Sequence, residues 1–463
     1  MFISGISIEN YRLFGTDPLF EISGFNVPDG SSEGSGINVF VGENGCGKTT
    51  LLEALALPIL EYKSDSFALE DMNCPQKSVN ILVFAEKPFT VKGTMPKGDF
   101  EARGFEFKAG VRSRGTRTYL SSIVVTDQLF IKADPLKPKD GSPDLRVSVN
   151  NPFSGKRFSE NDVIFLDKNR YYQTRTGSFN QTRFDRLMED FDFQYIKGST
   201  DIADINAIFS SEVKKIKVSN TFLTEAINEF YSITGISVKL EFVENYHPFK
   251  YAAFAHKKDN NQQIKLGALG SGYEMFFSLV YSYHMARQSG KQLIVLIDET
   301  ELHMHPSLQE RLIAFILKIS IDSQIFMSTH SSLLIKQLSQ NDRAKIMILK
   351  KNNHPLSLEE RKLPYFSSNE TNYLAFALVT EEYHNELYGF LEAEDEFNNY
   401  KNGKGTMRYT KILRDGSTKD EQITLTEYIR HQIHHPENKN NPRYTSSQLK
   451  ESILLMRDFI QTQ

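Results

Sequence analysis

Residues Gly42 to Thr49 form a glycine-rich loop, Gly-Glu-Asn-Gly-Cys-Gly-Lys-Thr, that follows the apolar run Ile37 to Val41 and precedes a helical pattern. Glycines let several backbone N–H groups point into one concavity, and a helix N-terminus adds partial positive charge there. Lys48 would place a full positive charge beside the outer phosphates and is expected to be catalytic. The Thr49 hydroxyl would ligate Mg²⁺. The pattern therefore predicts a site for ATP or GTP. Its expected members are Gly42, Glu43, Asn44, Gly45, Cys46, Gly47, Lys48, Thr49 and Thr50.

Two carboxylates and a histidine follow later strand patterns. The apolar run Leu293 to Ile297 leads directly into Asp298 and Glu299. Asp298 would hold Mg²⁺ through water, and Glu299 would orient and deprotonate the attacking water. His330 ends the next strand pattern, where a neutral imidazole would hydrogen-bond the γ-phosphate and sense its loss. We therefore expect Glu299 and His330 to be catalytic.

The segment Leu269 to Glu274 resembles the Leu-Ser-Gly-Gly-Glu signature of ABC-type ATPases. It departs from that signature at Gly270, before the serine, and at Tyr273, before Glu274. In that signature a serine and a glycine at a helix N-terminus bind the γ-phosphate held by the other subunit. The resemblance implies that Ser271 and Gly272 complete the nucleotide site of a second copy. It therefore implies an ATP-dependent, head-to-head dimer. We also expect a higher oligomer.

The elements that must position these residues alternate between strands and helices, both near the start and over residues 266–350. Such alternation predicts a parallel sheet with covering helices. Between about Ser78 and Val149, β-rich stretches separated by Gly, Pro and Asp predict an inserted antiparallel sheet. The predicted fold class is α/β. With the resemblance, it is an ABC-type ATPase head with a mixed or parallel sheet, an inserted antiparallel β subdomain, a helical lobe and a helical C-terminal region.

The sequence predicts that the chain is divided into four regions. Residues 1–180 would be the N-terminal half of the head with its β insertion, and residues 181–265 a helical or mixed lobe. Residues 266–355 would be the C-terminal half of the head. Residues 356–463 would be a helical region for assembly or partner docking.

Composition limits the classes of partner. The 463 residues carry a formal net charge of −4, which argues against a whole-surface attraction to nucleic acid and leaves a local basic patch open. The two cysteines, Cys46 and Cys74, are too few for a disulfide framework. The sequence shows no signal peptide and no apolar run long enough for a membrane span, so we expect a cytoplasmic protein without membrane contact.

Ile6 to Arg12, the phosphate loop and the stretch Asp298 to Pro306 together resemble the RecF/OLD-like branch of ABC ATPases, over about residues 1–60 and 265–350. The resemblance implies that the last stretch is a D-loop, which lies across the dimer from the partner's phosphate loop.

The spacing of Glu301, His303 and His305 also suits a metal site, although ordering of the subunit contact is the favoured use. Gln173 would be the Q-loop residue that contacts Mg²⁺, with Arg170 as a rival in the same loop.

The C-terminal phrases Thr380 to Tyr388 and Tyr428 to Asn438 resemble compact defence-associated ATPases, in particular the ATPase subunit of Septu-type antiphage systems. That subunit assembles with a separate HNH nuclease. The resemblance implies that the chain is a sensor or regulatory ATPase, that an HNH-like nuclease is its effector, and that any contact with nucleic acid is made through the complex. No strand pattern ending in Asp-x-Asp follows His330, so an attached Toprim nuclease is not expected.

Two alternatives remain open. Arg430 and His435 fit the Arg-x4-His pattern of HEPN ribonucleases, in which the arginine would stabilise phosphate charge and the histidine would move a proton. The chain would then be an ATP-gated ribonuclease itself. The other alternative is a RecF-like DNA-repair ATPase, which would need a basic DNA-binding surface.

Overall fold

A computed structural model describes most of the chain and divides it into two compact units, Met1–Met347 with Lys351–Ser357 and Ile348–Lys350 with Leu358–Gln463. The four-part division made from the sequence stays a prediction. The described residues are 2–17, 19–58, 69–94, 97–112, 115–124, 146–147, 161–166, 171–172, 181–182, 221–242, 251–256, 263–265, 269–288, 290, 292–351, 356–358, 361–413 and 416–461.

The strands of these residues are numbered in chain order. They are β1 (Ile3–Glu9), β2 (Phe20–Ser23), β3 (Ile37–Val41), β4 (Val79–Thr94), β5 (Lys97–Arg112), β6 (Gly115–Val124), β7 (Arg146–Val147), β8 (Asn161–Leu166), β9 (Tyr171–Tyr172), β10 (Gln181–Thr182), β11 (Ser237–Phe242), β12 (Tyr251–His256), β13 (Gln263–Lys265), β14 (Gln292–Ile297), β15 (Gln324–Thr329), β16 (Lys345–Lys351), β17 (Leu356–Leu358), β18 (Thr406–Ile412) and β19 (Thr418–Thr424).

The helices are numbered in the same way. They are α1 (Lys48–Ala56), α2 (Thr221–Thr234), α3 (Ser271–Gln288), α4 (Pro306–Ile319), α5 (Ser332–Leu338), α6 (Ser368–Phe376), α7 (Glu381–Ala393), α8 (Phe397–Lys401), α9 (Leu425–His434) and α10 (Ser446–Gln461), with a short 3₁₀ helix at Leu69–Asp71. Over the described part of the chain, none of these helices combines the length and the apolar character that a membrane span requires.

One six-stranded sheet has the order β17-β16-β3-β15-β14-β8. The phosphate loop and the predicted catalytic residues follow its strands β3, β14 and β15. Strand β14 pairs in parallel with β15 and β8, and β15 pairs in parallel with β3. Strands β3, β14 and β15 are mostly apolar and buried except at the first residue of β14, as expected for a parallel sheet covered on both faces. The register aligns Met327 with both Ile297 and Val39, so the phosphate loop, Asp298 and His330 leave the sheet at the same edge.

A second sheet is antiparallel throughout, with the order β2-β1-β4-β5-β6-β7. Its strands β4 to β7 lie in the chain between α1 and β8, where the sequence predicted an inserted antiparallel sheet. Strands β11, β12 and β13 form a further antiparallel sheet. The predicted α/β class, with a parallel sheet, an inserted antiparallel sheet and helices, is confirmed.

The second unit contains helices α6 to α10 and a β-hairpin that the sequence analysis did not predict. Its core is a cluster of buried side chains: Leu363, Tyr383, Leu387, Leu391, Phe397, Tyr400, Ile429, Leu449, Ile453 and Met456. The hairpin pairs β18 with β19 in antiparallel register. Tyr409 of β18 is buried, and its ring centroid lies 5.7 Å from that of Tyr428 and 5.1 Å from that of His431, which anchors the hairpin to α9.

Candidate nucleotide site

The phosphate loop needs glycine for its backbone shape. Gly42, Gly45 and Gly47 have φ values of 151°, 76° and 94°, all in a region that side chains disfavour. Helix α1 begins directly after Gly47, with no side-chain cap and no acidic residue in its first turn. Because neither a cap nor a carboxylate competes, the first N–H groups of α1 are suited to bind phosphate oxygens.

Lys48 is buried beside this loop. Its Nζ donates hydrogen bonds to the carbonyl oxygens of Gly42, at 2.7 Å, and Glu43, at 3.0 Å, and lies 3.6 Å from Cys46 Sγ. Burial lowers the pKa of the Lys48 ammonium group. The loop therefore holds one positive charge against its own backbone, in the place that the sequence predicted for a phosphate-binding lysine.

Asp298 connects the phosphate loop to the end of β14. Thr49 Oγ1 donates a hydrogen bond to Asp298 Oδ2 at 2.9 Å, across 249 residues of sequence. Ser328 Oγ, at the end of β15, donates to Asp298 Oδ1 at 2.5 Å. A carboxylate and a hydroxyl in contact are the oxygen donors that Mg²⁺ prefers, so Thr49 and Asp298 fit the predicted metal role.

Glu299 follows Asp298 in a strained backbone conformation. Its φ is 46°, which is uncommon for a side chain other than glycine and costs about 1–3 kcal/mol. The surrounding hydrogen bonds hold it there: Glu299 N–H donates to Ser328 Oγ at 2.8 Å, and Thr300 N–H donates to the Ser328 carbonyl oxygen at 3.1 Å. Strain of this kind is concentrated at functional sites. The catalytic role of Glu299 stays a prediction.

His330 comes directly after β15 and is half-buried. Burial lowers the pKa of its imidazole, and the positive charge of Lys48 lowers it further, while Glu301, Glu299 and Asp298 oppose the shift. The net effect favours the neutral imidazole that the sequence analysis assumed. The charge of Lys48 acts on the His330 ring and the carboxylate of Asp298 acts on both, so the three predicted residues share one electrostatic environment.

The signature-like segment opens α3. At Gly272, a Cβ atom would lie 2.8 Å from the His303 carbonyl oxygen and 2.9 Å from Met304 Cγ, so this position has no room for a side chain. Gly270 has a φ of 129°, which explains a glycine before the serine. The contacts of Gly272 are thus with the D-loop-like stretch of its own chain. The role of Ser271 and Gly272 toward a second copy stays a prediction.

The alternative metal site at Glu301, His303 and His305 is not formed. Within the residues that the structure describes, no group of three or more His, Cys, Asp or Glu side chains is arranged to hold a metal ion. His305 is instead the N-cap of α4 and accepts a hydrogen bond from Ser307 N–H at 3.3 Å. The side chain of Glu301 is bonded to Thr329 and to the backbone of His330.

The remaining predicted residues lie either outside the described part of the chain or in the second unit. Gln173 and Arg170 lie outside the described residues. Arg430 lies on α9 in the second unit, with its guanidinium 5.0 Å from the ring centroid of Tyr388. His435 is the C-cap of α9, exposed, with its Nδ1 atom 3.2 Å from Glu437 Oε1.

The ribonuclease alternative rests on this pair, which the helix does not bring to one face. Five residues along an α-helix correspond to a rotation of about 140°, whereas residues four apart are neighbours. Accordingly, the charge of Arg430 lowers the pKa of His434, after the effect of burial, and the ring of His435 lies 6.5 Å from that of His431. The catalytic role of Arg430 and His435 stays a prediction.

Together, the parallel sheet, the phosphate loop and the carboxylates beside it define a nucleotide-binding protein of the P-loop ATPase class. Residues 37–336 match the family described as "AAA domain, putative AbiEii toxin, Type IV TA system", and the chain belongs to this family. The match begins at β3 and ends within α5, so it includes every residue of the candidate site.

The chain is also similar to one further protein and to two solved structures. The "Retron Vc95 probable ATPase" of Vibrio cholerae serotype O1 biovar El Tor is 21% identical over 413 residues, which cover 78% of this chain and 78% of the relative. An SMC head bound to the C-terminal winged-helix domain of ScpA is 12% identical, with a TM-score of 0.43, and covers 78% of this chain and 97% of that one. The ATP-bound recombination mediator RecF is 13% identical, with a TM-score of 0.39, and covers 77% and 99% of the two chains.

Ser328 is a site residue that sequence reasoning missed. It is buried, and it accepts from Glu299 N–H while donating to Asp298. A signal was present, because aligning the ends of the strands that lead to Asp298 and His330 puts Ser328 beside Asp298. When each strand is considered alone, a serine near its end does not stand out as a site residue.

We expect Ser328→Ala to lower the free energy of unfolding of the first unit by about 1–3 kcal/mol, since it leaves a buried N–H and a carboxylate oxygen without their shared partner. Urea denaturation measures this loss. Ser332→Ala, at an exposed position on α5, is the matched control and should change the midpoint little. Equal midpoints for the two variants would contradict the bridging role.

Proposed function

We propose that the chain is an ATPase of the ABC or RecF-like type that binds ATP with Mg²⁺ at the phosphate loop and hydrolyses it. The observation that carries this proposal is the contact between Thr49 Oγ1 and Asp298 Oδ2, which joins the loop to the carboxylate that a metal ion would need. Membership of an AAA-domain family supports the same activity.

Each residue has a distinct part in the proposed reaction. The loop amides and Lys48 bind the phosphates, while Thr49 and Asp298 would hold Mg²⁺, which neutralises phosphate charge when bound. Glu299 orients the attacking water and accepts its proton. His330, held neutral by burial and by Lys48, donates a hydrogen bond to the γ-phosphate. Positioning and charge supply most of the catalysis in phosphoryl transfer, and these residues provide both.

The proposed biological role is regulatory. We infer a head-to-head dimer in which Ser271 and Gly272 reach the nucleotide of the second copy, and an antiphage defence complex in which this ATPase controls a separate, HNH-like nuclease, as in Septu-type systems. Two findings support a defence setting: the family description names a toxin–antitoxin system, and one relative is named as a retron ATPase. Ser271 and Gly272 open α3, and the partial positive charge of a helix N-terminus suits the phosphate contact that the proposed dimer requires.

Lys48→Ala tests the proposal. Loss of a charged hydrogen-bond donor to phosphate should weaken ATP binding about tenfold to hundredfold, measured with a fluorescent ATP analogue. Lys336→Ala, which removes an exposed lysine from α5, is the matched control and should leave binding unchanged. Unaltered ATP affinity in a folded Lys48→Ala protein would refute the proposed function.

A further inference from the structure

The carboxylate of Glu301 accepts two hydrogen bonds at the end of β15. Its Oε1 accepts a hydrogen bond from the backbone N–H of His330 at 2.6 Å, and its Oε2 accepts one from Thr329 Oγ1 at 2.7 Å. Both bonds are charge-assisted, which makes them shorter and stronger than bonds between neutral groups. The backbone at His330 is therefore fixed from the side by a residue that lies 29 positions earlier in the chain.

The turn after His330 is fixed as well. Thr329 Oγ1 accepts from Ser331 N–H at 2.9 Å, so the hydroxyl that bonds Glu301 also closes the turn. Ser331 Oγ donates to Gln309 Oε1 at 3.0 Å, and Gln309 Nε2 donates to the Met304 carbonyl oxygen at 3.0 Å. Hence His330 is held between two side chains from the stretch that follows β14.

The same stretch contacts the signature-like helix. The backbone at His303 and the side chain of Met304 lie against Gly272, at distances that exclude a Cβ atom there. A path of direct contacts therefore runs from the start of α3, through His303 and Met304, to Gln309 and the residues around His330. Close-packed contacts of this kind transmit displacements, because there is no free volume between the contacting groups to absorb them.

We propose that Glu301 is a positioning residue for ATP hydrolysis, which sets the place of the His330 imidazole at the nucleotide by holding the backbone of residues 329–330. This inference rests on the proposed function, in which His330 contacts the γ-phosphate. Glu301 itself does not contact the substrate in this scheme. It acts through His330, and Gln309 supports it from the other side of the turn.

The purely structural alternative makes a different prediction. If Glu301 only stabilised the fold, its removal would lower the amount of native protein and leave the rate of each folded molecule unchanged. If it positions His330, its removal lowers the rate of hydrolysis while ATP binding, which depends on the phosphate loop, is retained. The effect must also vanish when His330 has no imidazole to position.

A double-mutant cycle in the full-length protein separates these cases. Glu301→Ala should lower the single-turnover rate of ATP hydrolysis about tenfold to hundredfold, because it removes two charge-assisted hydrogen bonds. Glu301→Gln, which keeps one carbonyl acceptor for His330 N–H, should recover part of the loss. In a His330→Ala background, Glu301→Ala should cause less than a further twofold loss.

The outcomes distinguish the inference from the function on which it rests. Independent, multiplicative effects of the two substitutions would overturn the positioning role while leaving the ATPase intact. An unchanged rate in His330→Ala alone would instead refute the proposed role of the histidine. Glu310→Ala, an exposed glutamate on α4, is the matched control and should keep the native rate.

A second variant guards against loss of folding. Thr329→Val removes the hydroxyl that donates to Glu301 at nearly constant volume, and Thr329 is fully buried in β15. It should lower the hydrolysis rate in the same direction as Glu301→Ala and show the same dependence on His330. A normal rate in folded Thr329→Val and Glu301→Gln proteins together would overturn the proposal.

Discussion

Glu299→Gln is expected to lower the rate of ATP hydrolysis about 10²–10⁴-fold and to leave ATP binding close to native. The amide has the shape of the carboxylate but cannot accept a proton from the attacking water. Backbone geometry should survive, because the variant keeps the bond from the N–H of residue 299 to Ser328 Oγ, at the position where φ is 46°. The measurement is single-turnover hydrolysis of labelled ATP.

The same variant tests the proposed dimer. If two heads close around ATP, blocked hydrolysis should trap the nucleotide and double the mass of the particle with ATP and Mg²⁺, as read by light scattering. Glu310→Gln, on the exposed face of α4, is the control for loss of one carboxylate and should behave as native. Native turnover in Glu299→Gln would exclude Glu299 as the base, and an unchanged mass would count against the dimer.

The central sheet and the phosphate loop were predictable from sequence for a physical reason. Strands buried on both faces are continuous apolar runs, and Leu293 to Ile297 is such a run, bounded by Asp298. The loop could be identified because its glycines meet a backbone requirement that few sequences satisfy. The carboxyl ends of parallel strands share one edge of the sheet, and the contact between Thr49 and Asp298 at that edge agrees with the pairing that the sequence suggested.

The β-hairpin was not predictable in the same way. Strand β18 reads Thr-Met-Arg-Tyr-Thr-Lys-Ile, and polar or charged side chains leave it little apolar alternation. Only Tyr409 is buried along it, and its burial depends on the rings of Tyr428 and His431, which lie on a helix further along the chain. Strand preference of this kind comes from packing rather than from local sequence, so only the assembled unit reveals it.

The bonds around His330 were missed for a related reason. Glu301 was considered as a metal ligand from its spacing to His303 and His305, because one-dimensional spacing says nothing about a neighbouring strand. The parallel register of β14 and β15 brings Thr329 and the His330 N–H to the Glu301 carboxylate instead. Side chains that act between strands become visible only when strand order is known.

The second unit holds a buried ion pair whose removal should cost the most stability of the changes considered. Glu370 on α6 is fully buried, and its carboxylate accepts from Arg457 Nη1 at 2.8 Å. The carboxylate also accepts from the backbone N–H groups of Lys362, at 2.8 Å, and Leu363, at 3.2 Å, and from the Tyr383 hydroxyl group at 3.4 Å. Arg457 also donates to the Tyr383 hydroxyl group, so α6, α7 and α10 meet at one charged centre.

Arg457→Met is expected to lower the free energy of unfolding of this unit by about 3–5 kcal/mol, because the carboxylate of Glu370 would stay buried without its counter-charge. The sequence contains no tryptophan, so hydrogen exchange of the backbone amides of α10 is a better local probe than fluorescence. Protection of these amides should fall at least about a hundredfold, since 1.4 kcal/mol corresponds to about a tenfold change in an equilibrium constant.

The exposed pair Arg408–Asp420 in the same unit provides the comparison. Its Nη2–Oδ2 distance is 2.6 Å, but the arginine side chain is 71% exposed, so solvent screens the attraction. Arg408→Met should therefore cost far less stability than Arg457→Met, although the two pairs look alike in distance. Adding Glu370→Gln to Arg457→Met should restore part of the lost stability, because the orphaned charge is then removed as well. Equal losses in Arg457→Met and Arg408→Met would show that burial of the charge does not determine the stability of this unit.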